Sequence, residues 1–224
     1  MQIWGAKRSL TLMNMSIKNV VVGEFQVNCF IIWGEAREAI VIDPGDNADA
    51  ILQLLEDEEL TPAAYLLTHG HMDHISALAK LYAAKPAAVA IHDADLAWAF
   101  SEVNQMPPFY AVPEAPPEIA RKLADGQEWN DGGLAYRIIA TPGHTPGGVC
   151  FHFYEDNALF TGDTLFAGSV GRTDLPGGSS RILKESLAKL AKLDDGLRVY
   201  PGHGPSSSIG HENQTNFFMK GQGF

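Results

Sequence analysis

The chain has 224 residues, 46% hydrophobic and 19% charged, which suits one domain with a substantial core and would make two full domains cramped. Its net charge of −11 disfavours a nucleic-acid backbone as partner, because that association needs a positive surface to displace counterions. No apolar run approaches a membrane span, and the two cysteines, Cys29 and Cys150, lie in apolar strand-like segments, so they read as buried free thiols in a cytoplasmic protein.

Residues 1–12 carry Lys7 and Arg8 but only a short apolar stretch and no small-residue cleavage pattern, so no secretory signal is expected. Met13 and Met15 are alternative starts, and residues 1–14 read as an extension ahead of a single domain over 1–224. Strand-like runs at 20–22, 29–33, 39–42, 65–67 and 88–91 alternate with helical patterns at 48–58, 75–83 and 94–103. Residues 104–117 hold five prolines together with Phe109 and Tyr110 and must be a loop, read as a connector between halves, with a substrate-covering flap as the alternative. Strands near 135–140, 148–154, 158–161 and 198–200 follow, with helices near 181–193 and 212–219. Two similar halves of strands flanked by helices fit an α/β fold of four layers, an αββα sandwich, although pattern alone does not give the strand order. Trp4, Trp33, Trp98 and Trp129 are scattered and read as packing residues, and His92, His152 and His211 lie outside any ligand motif.

The chemistry concentrates in Thr68-His69-Gly70-His71-Met72-Asp73-His74, followed at wide spacing by His144, Asp163 and His203, each beside a glycine. Leu66-Leu67 end a buried strand and Ile75 begins a helix, so the first motif occupies a strand-to-helix turn, where active sites of layered α/β domains sit. Imidazole and carboxylate suit zinc, iron or manganese, and a site without thiolates points to catalysis rather than to a structural knot. Asp43, in Asp43-Pro44-Gly45, closes a strand facing this edge and reads as an acceptor that orients a ligand histidine, with a plain turn residue as the alternative.

These motifs, spread over almost the whole chain, resemble the metallo-β-lactamase superfamily and, within it, the glyoxalase II-like (hydroxyacylglutathione hydrolase-like) branch in its short bacterial form. The resemblance implies the αββα fold and two divalent metal ions, zinc foremost, with iron or manganese as alternatives. His69, His71 and His144 would hold the first metal, Asp73, His74 and His203 the second, and Asp163 would bridge them. A hydroxide between the metals, oriented by Asp73, would attack a small-molecule thioester. True β-lactamases commonly place cysteine at the Asp163 position and lack the His74 type, so an antibiotic hydrolase is not expected.

Arg172, in Gly171-Arg172-Thr173-Asp174, stands where glutathione-thioester hydrolases carry a basic residue; it would grip a substrate carboxylate, or else pair with Asp174. The same run is similar to the iron-dependent persulfide dioxygenases, which keeps that reaction as the alternative, with one iron on His69, His144 and Asp163. Lactone and phosphodiester hydrolysis also remain open. The C-terminal basic helical segment and tyrosine that hold glutathione in glyoxalase II are missing after His203, which implies a weaker or different thiol preference. The oligomeric state is not legible.

Overall fold

A computed structural model describes residues 15–223, so the expected extension at 1–14 lies outside the described residues. The first sheet runs β1 (Ser16–Val22), β2 (Val27–Trp33), β3 (Glu38–Ile42), β4 (Thr61–Leu66), β5 (Ala88–His92) and β6 (Arg121–Leu123), in that spatial order. Hairpins make β1 to β3 antiparallel; from β3 onward the strands are parallel. Parallel neighbours need crossovers, supplied by α1 (Ala48–Asp57), by α2 (Met72–Ile75) with α3 (Leu78–Ala84), and by α4 (Asp93–Ala99) with the proline-rich segment.

The second sheet draws on β7 (Glu128–Asp131), β8 (Leu134–Ala140), β9 (Val149–Phe153) and β10 (Ala158–Gly162). A small hairpin of β11 (Leu165–Phe166) and β12 (Ser169–Val170) precedes α5 (Ser180–Leu190), β13 (Arg198–Pro201), β14 (Ser207–Ser208) and α6 (Ile209–Thr215). Its spatial order is β14-β13-β10-β9-β8-β7, with β10 and β13 parallel across α5.

The absence of alternation in β2 explains the layering. All seven of its residues are buried, because both faces of the sheet are covered. Cys29, Ile31 and Trp33 join a core with Ile51, Leu55, Leu78 and Leu81 on the helical side. Phe30 and Ile32 face Tyr136, Phe151, Phe153, Phe160 and Tyr200 of the other sheet. Leu183, Leu187 and Ile209 close the far side against Cys150 and Leu159. The result is the metallo-β-lactamase fold, helix layer, two sheets, helix layer. Aromatic rings clamp the sheets together: Phe30 lies 5.1 Å from Phe160 and 5.7 Å from Tyr200, and those two rings stack at 5.0 Å.

Some boundaries differ from the sequence reading. The helix expected over 75–83 is broken between α2 and α3, where Ser76 Oγ donates to Met72 O and the Ala77 amide turns aside to Pro44 O. The helix expected to reach residue 103 stops at Ala99, and the one expected over 212–219 begins earlier, at Ile209, capped by Ser208 Oγ accepting from the His211 amide at 3.2 Å. Strands β6, β7 and β14 and the β11-β12 hairpin were not expected; all are short, and most of their residues are partly exposed or exposed. No helix among the described residues is long and apolar enough to cross a membrane.

Candidate metal centre

The predicted ligands leave the C-terminal ends of β4, β8, β10 and β13, so both sheets deliver them to one edge. His69 and His71 occupy the turn after β4, His71 is the residue before α2, and Asp73 and His74 project from that short helix. His144 comes from the β8–β9 connection, Asp163 follows β10 directly and His203 follows β13. The structure brings all seven together. Single ligand atoms of His69, His71 and His144 lie within 4.8 Å of one another, as do those of Asp73, His74 and His203. Asp163 stands between the groups: Oδ2 is 3.5 Å from both His144 Nε2 and His203 Nε2, and Oδ1 is 3.4 Å from His74 Nε2. Backbone crowding requires glycine here, since a Cβ at position 202 would overlap the Asp163 carboxylate.

Outer partners fix which ring nitrogen faces inward. His144 Nδ1 donates to Arg172 O at 2.7 Å, His203 Nδ1 to Phe25 O at 2.9 Å and His74 Nδ1 to Asp43 Oδ2 at 3.0 Å. His69 Nδ1 meets Thr68 Oγ1 at 3.0 Å, and that hydroxyl donates to Asp43 Oδ2 at 2.6 Å. Each of these rings thereby turns its Nε2 to the centre, the nitrogen that would meet a metal. His71 is turned the other way, with Nδ1 facing inward 2.9 Å from His144 Nε2. Asp43 therefore holds two histidines, one directly and one through Thr68; its proximity to His69 and His74 reflects this hydrogen bonding and does not make it a ligand.

Three supports were not found from the sequence. Asp95, fully buried, accepts from the Gly70 amide at 2.9 Å, the Gly147 amide at 2.6 Å and Thr145 Oγ1 at 2.7 Å, tying the two loops that carry His69 and His144. Asn104 accepts from the Met72 amide at 3.1 Å and donates to Gly70 O and Ala99 O at 2.8 and 2.6 Å. Asn28 donates to Pro201 O and Gly204 O at 2.9 and 2.8 Å, hooking the His203 loop onto β2. A buried polar residue beside an apolar run was the available signal, but its target is backbone, which no residue pattern shows.

The donor set fits a metal pair. His69 Nε2 and Asp163 Oδ1 are buried and make no hydrogen bond among the described residues, a costly state for a bare lone pair unless a cation takes it. Burial drives the His69 pKa well below its ordinary value, and burial together with neighbouring His144 takes His71 to about 4, so both are neutral ligands at pH 7. Burial would also lower His74, but the carboxylates of Asp163 and Asp73 outweigh it and raise its pKa to about 9. Burial opposes ionisation of Asp163 and Asp73, yet His74 and the other imidazoles hold both below the usual carboxylate range. The negative charge of Asp73 and Asp163 that favours a cationic His74 would equally favour a metal cation there.

A cavity of about 470 Å³ opens over the cluster, walled by Phe25, Met106, Phe166, Val170 and Leu175. Met106 belongs to the proline-rich segment, and Phe25 packs 5.2 Å from Tyr110 of the same segment, so this loop forms part of the wall rather than a remote connector. Arg172 reaches the rim, but its guanidinium pairs with Asp174 through two contacts of 2.7 Å, the alternative weighed above. Its main-chain carbonyl is the part that touches the cluster, through His144. Trp98, read as a packing residue, packs its ring 5.4 Å from that of His71, beside the cluster.

The profile of the metallo-beta-lactamase superfamily matches residues 22–203. The hydroxyacylglutathione hydrolase GloC of Haemophilus influenzae is 35% identical, covering 92% of this chain and 98% of that protein. A protein crystallised as TTHA1623 in a di-iron-bound form is 37% identical with a TM-score of 0.82, covering 90% of this chain and 99% of the other. The BLEG-1 B3 metallo-beta-lactamase is 33% identical with a TM-score of 0.85, covering 91% and 99%. The last similarity means that kinship alone does not set β-lactams aside.

Proposed function

The chain belongs to the metallo-β-lactamase superfamily, and from that premise we propose that it is a metal-dependent hydrolase of small-molecule thioesters, of the glyoxalase II type. The observation that carries this reading is a pair of ligand groups joined by one carboxylate, beneath a cavity whose lining among the described residues includes no serine, threonine, cysteine, lysine or tyrosine. With the histidines and carboxylates engaged as ligands, water would be the attacking group. Two bound cations would lower the pKa of a water between them towards neutrality and polarise the carbonyl; zinc is the favoured metal, with iron or manganese able to take the same donors.

His69, His71 and His144 would hold one cation, Asp73, His74 and His203 the other, with Asp163 offering an oxygen to each. Asp73 is kept ionised and lies 3.6 Å from His203, so its carboxylate can also accept a hydrogen from the attacking water and aim the lone pair. The C–O bond forms, the C–S bond breaks and the sulfur leaves as thiolate. A thiolate leaves without a proton, whereas the amine of a β-lactam needs one, and the cavity wall offers no free acid to give it. Arg172, released from Asp174, would meet a carboxylate on the departing thiol.

The test is metal analysis of protein purified without added metal, paired with assays on thioesters, a β-lactam, a lactone and a glutathione persulfide under oxygen. Thioester turnover with two metals per chain, abolished in Asp163→Ala, supports the reading. Oxygen uptake with the persulfide, one tight iron and no thioester turnover would overturn it.

A further inference from the structure

A second cavity, of about 510 Å³, adjoins the first on the far side of His71 and shares with it His71, Met72, Met106 and Leu175. Trp98, Val103, Met106, Leu175 and Pro176 make most of its wall, with Asn104 and Gln105 beside them, and no Asp, Glu, Lys or Arg among the described residues lines it. Arg172, the one guanidinium that lines either cavity among the described residues, lines the first alone. The two spaces therefore differ in chemistry: one is overlooked by a cation, the other is apolar with a tryptophan set against a ligand histidine.

We propose that the Trp98 lobe is the acyl site, so that the preferred substrates are thioesters of extended apolar acids rather than of a short hydroxy acid. The inference rests on the thioesterase reading and refines it. A carbonyl at the cluster has two substituents to place. The thiol portion, where it bears a carboxylate, goes to the Arg172 side, because the opposite lobe would leave that charge unpaired. The acyl chain enters past His71, where it gains the burial of apolar surface, and the Asn104 carboxamide it would cover is already hydrogen-bonded to main chain. The volume is within the range of small-molecule sites. Val103, 77% exposed, lines the lobe on its solvent side, so its side chain can be replaced without touching the core.

The experiment uses acetyl, butyryl, hexanoyl and octanoyl thioesters of 3-mercaptopropionate with the metal-loaded protein. Each methylene entering the lobe should raise kcat/KM by about fourfold, giving roughly 250-fold between acetyl and hexanoyl if all four enter and at least roughly tenfold if only two do. Val103→Lys, which puts a charge at the mouth, and Trp98→Ala, which removes a wall, should each cut that ratio to about threefold or less. Val21→Lys, at another exposed apolar position, is the control for added charge and should keep it. A flat acyl dependence, or a steep one that both lobe variants preserve, overturns the acyl site while leaving the thioesterase reading standing. If no thioester is cleaved, that reading falls and the lobe is judged by binding of uncleavable S-octyl and S-methyl thioethers of the same thiol. Octyl binding at least tenfold tighter, lost in Val103→Lys, upholds the lobe; equal dissociation constants refute it.

Discussion

Asn104 offers a sharp test of how the His69–His74 segment is held, because it is neutral, 2% exposed and makes three hydrogen bonds to main chain. In Asn104→Ala the Met72 amide loses its acceptor and the carbonyls of Gly70 and Ala99 lose their donors, all in the interior. An orphaned buried group costs about 1–3 kcal/mol, and partial relaxation of the end of α4 brings the total to roughly 3–5 kcal/mol. Against a total stability of about 5–15 kcal/mol this is severe. Asn104→Asp has the same shape and keeps the Met72 contact, but it sets a carboxylate against two carbonyls, so it should lose at least as much at pH 7. Urea unfolding by linear extrapolation measures the change, and metal content should fall in both variants because the turn bearing His71 loosens. An Asn104→Ala protein within about 1 kcal/mol of the parent, with full metal, would refute the claim that this side chain holds the motif.

Asp163→Ala should loosen both cations together, whereas His203→Ala should empty mainly the second position; elemental analysis showing equal fractional losses would contradict two separate sites sharing one carboxylate. Arg172→Ala should raise KM for a carboxylate-bearing thioester while leaving kcat, metal content and folding nearly unchanged, since its ion pair with Asp174 is solvent-exposed. A thioester lacking the carboxylate should be indifferent, and equal losses on both substrates would make the pair purely structural. Burial raises both thiols, Cys150 to about 11 and Cys29 further, so neither forms thiolate at neutral pH. Ellman's reagent should therefore find no reactive thiol in the native protein and two after unfolding; reaction in the native state would show that the core opens.

Fold and site were legible to different depths. Unbroken apolar runs such as Val27–Trp33 announce a strand buried on both faces, and the double occurrence of strand-helix alternation announces the layers. Arg121–Leu123 and Glu128–Asp131 carry polar residues and little periodicity, because edge strands need satisfy only one neighbour, so nothing marked them. The ligands stood out because histidine and aspartate beside glycine are chemically distinctive. Asn28, Asp95 and Asn104 did not, since what they recognise is chiefly the course of the main chain. The carbonyls of Phe25 and Arg172, which orient His203 and His144, have no residue-type signature at all.

The hook from Asn28 to the His203 loop and the amide of Val149 on Thr68 O cross from one sheet to the other beside the cluster. Four ligands hang from one half of the molecule and three from the other, so the site works as a gauge of how the sheets are seated. A slip of one sheet against its mate by a fraction of an ångström would leave each half intact and still spoil the meeting of nitrogen and oxygen atoms. Damage to the Phe30, Phe160 and Tyr200 clamp should accordingly register as weakened metal affinity before any loss of secondary structure. The reverse also holds: a bound cation is a rivet through the seam, and loading it should slow the parting of the two halves more than it stiffens either one.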